Sequence, residues 1–216
     1  MVQRGSTHYL YFSACQSIGV AASGSPTGPF VDLKGSALVT PGQYGGQSID
    51  PMVFTDTDGQ VYLYFGQGQL NAVRLNDDMA SFSGTPVNIK PAGSSYNEGT
   101  FVFKRNGLYY FMWSENDTRS EDYRVAYGTA SSPLGPITTR GVVLSKNTSL
   151  AIRGTGHHSV LTTSNGDSYI VYHRFAIPGG DGTHRETCID KLEFNADGTV
   201  IAVTPTLTGI AAPVAP

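Results

Sequence analysis

Charge is scarce in this chain. Only 14% of its 216 residues are charged, against roughly 25% in an ordinary soluble domain. The net charge is -3, and lysine and arginine form no run. Nucleic acid and anionic membrane surfaces are therefore poor partners. No apolar stretch approaches the ~20 residues that a membrane-spanning helix needs. Cysteine is nearly missing: Cys15 and Cys188 are the two present, and their spacing does not choose between a disulfide and two thiols. No Cys/His zinc spacing occurs, no Gly-rich phosphate loop, and no serine in a G-x-S-x-G setting. Zinc modules, nucleotide binding of the P-loop type and α/β-hydrolase chemistry are excluded accordingly. Met1–Arg4 leads straight into a strand pattern, with no secretory leader in view.

Glycine (26) and tyrosine (12) are abundant, and 39% of the residues are hydrophobic. That mixture favours an all-β, turn-rich fold with a sizeable core. Two acceptor triplets, Asn116-Asp117-Thr118 and Asn147-Thr148-Ser149, together with a low lysine count, lean toward a secreted protein. The Ala/Pro end, 208–216, reads as a tail or linker after a domain covering 1–207.

Four segments share one design, a tight turn followed by a strand of alternating aromatics. They are "GSTHYLYFSA" (5–14), "DGQVYLYFGQ" (58–67), "NGLYYFMWSE" (106–115) and "GDSYIVYHRF" (166–175). Asp58-Gly59 and Asn106-Gly107 are strong hairpin signals. An apolar strand precedes the last three segments: "DPMVFTD", "EGTFVFK" and "HHSVLTT". The turn "SPTGPF" at 25–30 returns as "SPLGPI" at 132–137. Repeats of this size with three or four antiparallel strands read as propeller blades. A β-sandwich also has many short strands, but it does not require a repeated turn phrase. The expectation is three full blades plus one that begins at its second strand.

The first polar residue of each leading strand falls in register: Asp50 in "SIDPMVF", Glu98 in "YNEGTFVF", and His157-His158 in "GTGHHSVL". Each has an ordinary reading by itself, Asp50 as a turn residue before proline and the histidines as packed or capped groups. Together they aim two carboxylates and an imidazole at one axis. Facing carboxyl groups suit glycoside hydrolysis, in which one must hold a proton while the other stays charged and raises its pKa. Glu98, with the longer arm, is the expected acid, and Asp50 is expected to stay ionised.

These stretches, with "IGVAASGSPTGPF", "YIVYHR" and "IDKLEFNADGTV", resemble glycoside hydrolase family 43 over about residues 8–207. The resemblance implies a five-bladed β-propeller, here incomplete, with about four blades in this chain and the first blade absent. It implies an inverting α-L-arabinofuranosidase, β-xylosidase or arabinanase acting on arabinose- or xylose-bearing plant cell-wall polysaccharide. Glu98 matches the general acid and Asp50 the pKa modulator. His157 matches a histidine aimed at a channel calcium, reached through waters because histidine is a poor calcium ligand. Arg185 resembles a substrate-pocket arginine. Thr100 stands where the family often has proline. The family's base, an aspartate of the first blade, has no counterpart; Glu115, Asp117, Glu121 and Asp122 occupy a polar loop that nothing places at a water position. A dimer or a companion segment is expected to complete the ring. Trp113, Tyr96 and His158 are the further expected sugar contacts, through aromatic stacking and hydrogen bonding. A non-catalytic sugar-binding propeller is the alternative.

Overall fold

The computed structural model describes residues 1–210; the rest of the expected tail, 211–216, lies outside the described residues. Four antiparallel sheets follow one another along the chain. The first holds β1 (Val2–Arg4), β2 (Thr7–Ala14), β3 (Ser17–Ser23) and β4 (Val31–Asp32). The second holds β5 (Met52–Thr55), β6 (Val61–Phe65), β7 (Asn71–Leu75) and β8 (Phe82–Asn88). The third holds β9 (Tyr96–Arg105), β10 (Leu108–Glu115), β11 (Arg124–Ala130) and β12 (Thr138–Leu144). The fourth has three strands, β13 (Gly156–Thr162), β14 (Ser168–Phe175) and β15 (Arg185–Leu192). Within every sheet the strands lie in sequence order, as in four blades of a β-propeller.

The first blade of this chain is complete, contrary to the expectation that it lacks a strand. The first sheet does not begin at its second strand: Val2–Arg4 pairs with Thr7–Tyr9 across a turn at Gly5. Three residues are too few to display an alternation, so the strand is hidden in the sequence. The three-stranded sheet is the last one instead. The hairpin signals hold, since Asn106 (φ 50) and Gly107 (φ 80) both take the left-handed conformation that a type I′ turn requires. The two Ser-Pro-x-Gly-Pro turns share a cis Gly–Pro bond, at Gly28–Pro29 and Gly135–Pro136. Cys15 and Cys188 are free thiols, Cys15 on the surface.

The alternating aromatics are buried on both faces of their strands. Along β6, Tyr62 and Tyr64 enter a core shared with Phe111 and Trp113, while Val61, Leu63 and Phe65 enter one shared with Tyr11 and Val20. Along β10, Tyr109, Phe111 and Trp113 face the second sheet, and Tyr110 and Met112 face Ile170 and Tyr172 of the fourth. A middle strand of a blade thus packs against both neighbouring blades, because successive side chains point to opposite faces. Each large buried side chain contributes about 1.5–3 kcal/mol relative to exposure.

Candidate active site

The leading strand β9 contacts both of the other leading strands, β5 and β13, although the three belong to different sheets. A left-handed residue sits at the same end of each: Asp50 (φ 56) just before β5, Gly99 (φ 65) in β9, and His157 (φ 48) in β13. In two of the three the local cause is a bulge. Phe101 pairs with Met112 but Glu98 pairs with Ser114, so β9 carries an extra residue there. Gly156 pairs with His173 and Ser159 with Val171, so β13 carries one at His157-His158. Bulges bend a strand and re-aim its side chains, and non-glycine residues held at positive φ gather at functional sites.

The re-aimed groups meet. His157 Nε2 lies 3.9 Å from Asp50 Oδ1, and its Nδ1 lies 4.0 Å from Glu98 Oε1. Ser13 Oγ accepts the Asp50 N–H at 3.0 Å, and Ser114 Oγ accepts the His157 N–H at 2.9 Å. Glu98 is 5% exposed. Its Oε1 accepts from the Tyr123 hydroxyl at 2.7 Å, and its Oε2 accepts from Gln67 Nε2 at 2.6 Å. A cleft of about 370 Å³ opens here, lined by Asp50, Gly99, Thr100, Phe101, His157 and His158 among others. A second cleft, of about 470 Å³, shares His157 and is lined by His173, Thr183, Arg185, Glu186 and Thr187 as well.

The electrostatics run opposite to the expectation for the two carboxyl groups. Burial pushes the Asp50 carboxyl up; the Glu98 charge adds to this, while His157 and the Gly99 N–H pull against it. Burial also raises Glu98, but His157, Tyr123 and Gln67 together outweigh it and hold the carboxyl below its ordinary range. His157 is raised by its interaction with Glu98 and by the charge of Asp50, against burial. The reason for the reversal is that His157 first, then the Tyr123 and Gln67 donors, stabilise the charged form of Glu98, and neither of those two donors was visible from the strand pattern.

The expected sugar contacts divide. Trp113 is 0% exposed and Tyr96 4%, both in the core between the second and third sheets, so neither can stack on a sugar. The Trp113 indole N–H donates to Glu115 Oε1, and the Tyr96 hydroxyl donates to the Gly66 carbonyl and shares a bond with Thr100. The physical cause is the double-sided burial of these strands. His158 lines the first cleft beside Phe101, but both its ring nitrogens are buried without a partner. Arg185 lines the second cleft and donates from Nη1 to His173 Nε2 and to Thr118 Oγ1, both at 3.2 Å. Glu115, expected in the polar loop, is instead the last residue of β10 and is paired with Arg124; in the loop that follows, Asp117 is paired with Arg119, and Glu121 and Asp122 with Lys146. Tyr123, Gln67, Ser13 and Ser114 escaped sequence reasoning. None stands at the register position that marked the other three.

The residues do not fit a directly liganded calcium. Calcium takes six to eight oxygen ligands, whereas both nitrogens of His157 face carboxylates. Among the described residues no group of three or more His, Cys, Asp or Glu is arranged to hold a metal.

Residues 1–200 match the pattern of "Glycosyl hydrolases family 43". The chain is 41% identical over 209 residues to a β-D-galactofuranosidase, xynD, of Aspergillus niger, covering 94% of this chain and 61% of the relative. It is 35% identical to an arabinoxylan arabinofuranohydrolase of Bacillus subtilis, over 94% of this chain and 45% of that protein. It thus spans less than two thirds of the length of these curated relatives. The crystal structure of a thermostable family-43 glycoside hydrolase superposes with a TM-score of 0.87 at 31% identity, covering 98% of this chain and 75% of that one. The solved relatives are five-bladed propellers, of which this chain covers a part. By sequence pattern and by fold alike, the chain belongs to glycosyl hydrolase family 43.

Proposed function

We infer that the cleft serves glycosidic bond hydrolysis, with Glu98 as proton donor and Asp50 as the group that orients it and modulates its charge. The observation that supports this best is the single His157 ring standing between the two carboxylates, 3.9 Å from one and 4.0 Å from the other, beside an open cleft. The substrates are α-L-arabinofuranosyl or β-D-xylosyl linkages of cell-wall polysaccharide, cleaved with inversion outside the cell. The names of the two relatives above share a five-membered sugar ring, so furanosides come first, galactofuranosides among them. To act as an acid Glu98 must be raised from its present position. A sugar that fills the cleft strips water from His157, which lines it; a neutral His157 no longer holds Glu98 down, and the carboxyl moves in that direction.

No carboxylate of the polar loop is free to activate water, since each is tied in an ion pair. The reading therefore leaves the base to a second copy or a companion segment, for which the outer strand of the three-stranded sheet offers an edge. The test is release of nitrophenol from the arabinofuranoside, galactofuranoside and xyloside, together with hydrolysis of arabinoxylan oligosaccharides. Glu98→Gln is expected to lower turnover of the oligosaccharides about 10²–10⁴-fold with the fold intact. Equal turnover by that variant removes Glu98 from the role.

The second reading is a sugar-binding propeller without turnover. The low-lying Glu98 carboxyl favours it, because an ionised carboxylate accepts hydrogen bonds from sugar hydroxyls but has no proton to give. Oligosaccharide binding without hydrolysis would select this reading.

A further inference from the structure

Tyr123 reaches Glu98 from outside the leading strands, so something must hold its ring. It lies one residue before β11 and is fully buried. The His173 ring stacks on it, with centroids 5.5 Å apart and planes 7° from parallel. Gly156 also leaves the ring no slack: a Cβ there would come within 2.4 Å of Tyr123 Cδ1 and Cε1. His173 is in turn held by Arg185, whose Nη1 lies 3.2 Å from His173 Nε2. The two lie on neighbouring strands, where His173 pairs with Thr187 and Arg185 stands two residues before it, the diagonal position on one face.

A guanidinium has only donors. His173 Nε2 must therefore accept, which leaves the ring neutral with its proton on Nδ1. Burial first, and Arg185 second, hold His173 near 4, so the ring is neutral at neutral pH. The Tyr123 phenol is kept protonated by burial and by the Glu98 charge, so it remains a donor.

We propose that His173 is a positioning residue for the acid: anchored by Arg185, it fixes the Tyr123 ring so that the hydroxyl stays on Glu98 Oε1. The assignment rests on Glu98 being the proton donor. His173 reaches the acid through Tyr123 and, more distantly, through the His157 ring, on which it also stacks with centroids 6.4 Å apart; with the sugar in the cleft that Asp50 and His157 line, its removal acts chiefly on turnover.

Four variants of the full chain test this: His173→Ala, His173→Phe, Tyr123→Phe and the double variant His173→Ala/Tyr123→Phe. His173→Ala is expected to lower kcat about tenfold or more with KM changed less than about twofold. His173→Phe keeps a flat ring on Tyr123 and is expected to restore kcat to within about threefold of native. The double variant should be little slower than Tyr123→Phe alone, because the stack on Tyr123 is the nearer of the two that His173 makes and both changes remove what it supports. Additive losses, or His173→Phe being as slow as His173→Ala, would overturn the proposal. Crystal structures of the same variants give a readout without turnover. Tyr123 Oη should leave Glu98 in His173→Ala and remain in His173→Phe; a hydroxyl that stays in place in both overturns the proposal. Should the native chain hydrolyse nothing while these structures behave as expected, the positioning role stands and the hydrolytic reading falls.

Discussion

The backbone N–H of Gly99 donates to Asp50 Oδ2 over 3.2 Å, so the residue after one carboxylate holds the other. Gly99 takes φ 65, and a Cβ there would lie 3.3 Å from His157 Nδ1 and 3.4 Å from Ser114 Oγ. Gly99→Ala is therefore strained in its backbone and presses on the imidazole between the carboxyl groups. It should cost about 1–3 kcal/mol of stability and about 10²-fold in kcat/KM, the scale of a misplacement near 1 Å. Thermal unfolding and steady-state kinetics check both. A variant with native kinetics would show that the cleft tolerates movement of His157.

His157 lowers the pKa of both carboxyl groups. Replacing it with glutamine removes the positive charge that it carries when protonated, so Glu98 rises. A group that must be protonated to act fails above its pKa, and this sets the basic limb of the kcat/KM profile. In His157→Gln that limb should move to higher pH. Movement to lower pH would contradict the role of Glu98 as acid.

Asp56 ties the second sheet to the third. Its carboxylate accepts from Lys104 Nζ at 2.7 Å, from the Tyr109 hydroxyl and from the Thr57 N–H. Burial raises it, but Lys104, Tyr109 and Thr57 prevail and hold it at about 2, below the ordinary 3.8. A depressed folded value contributes stability above the unfolded pKa and loses it as pH falls toward 2. Asp56→Asn should cost about 1–2 kcal/mol at pH 7, a figure reduced for the partial exposure of Lys104. The cost should shrink toward pH 2. Urea midpoints at the two pH values measure it, and a constant penalty would mean that the carboxylate charge contributes nothing.

His158 is buried with both nitrogens unpartnered, and burial first, then the His157 charge, hold it at about 3. The unfolded imidazole binds a proton near 6.5, while the folded one stays neutral down to about 3. Between these values the unfolded state holds the extra proton, so stability falls as the solution is acidified. The slope from this one group is about 1.4 kcal/mol per pH unit. His158→Phe should flatten the stability curve between pH 6 and 4, leaving the smaller window of His173, which is held near 4. An unchanged slope would show that His158 takes its proton inside the fold.

The blade repeat and the convergence of positions 50, 98 and 157 were legible in the residues, because both rest on local periods. Alternation marks a strand, Asn106-Gly107 marks a turn, and a polar residue opening an apolar strand is visible wherever it stands. β1 was not legible, being three residues long. Nor was the part played by Tyr123 and Gln67, which lie 25 and 31 residues from Glu98 and carry no local mark.

The amino-acid order alone determined the repeated hairpins, which residues open their leading strands, and that two carboxylates and an imidazole share one end of the fold. Only the tertiary structure decided which way those side chains turn and which carboxyl holds its proton more firmly. The bulges at Gly99 and His157 aim the groups. Packing of both strand faces then takes Trp113 and Tyr96 into the core. Donors that reach Glu98 from distant parts of the chain reverse the order of the two acids. The physical reason is range: strand periodicity is set by neighbours one and two residues apart, whereas burial and hydrogen bonding sum over everything that folding brings near.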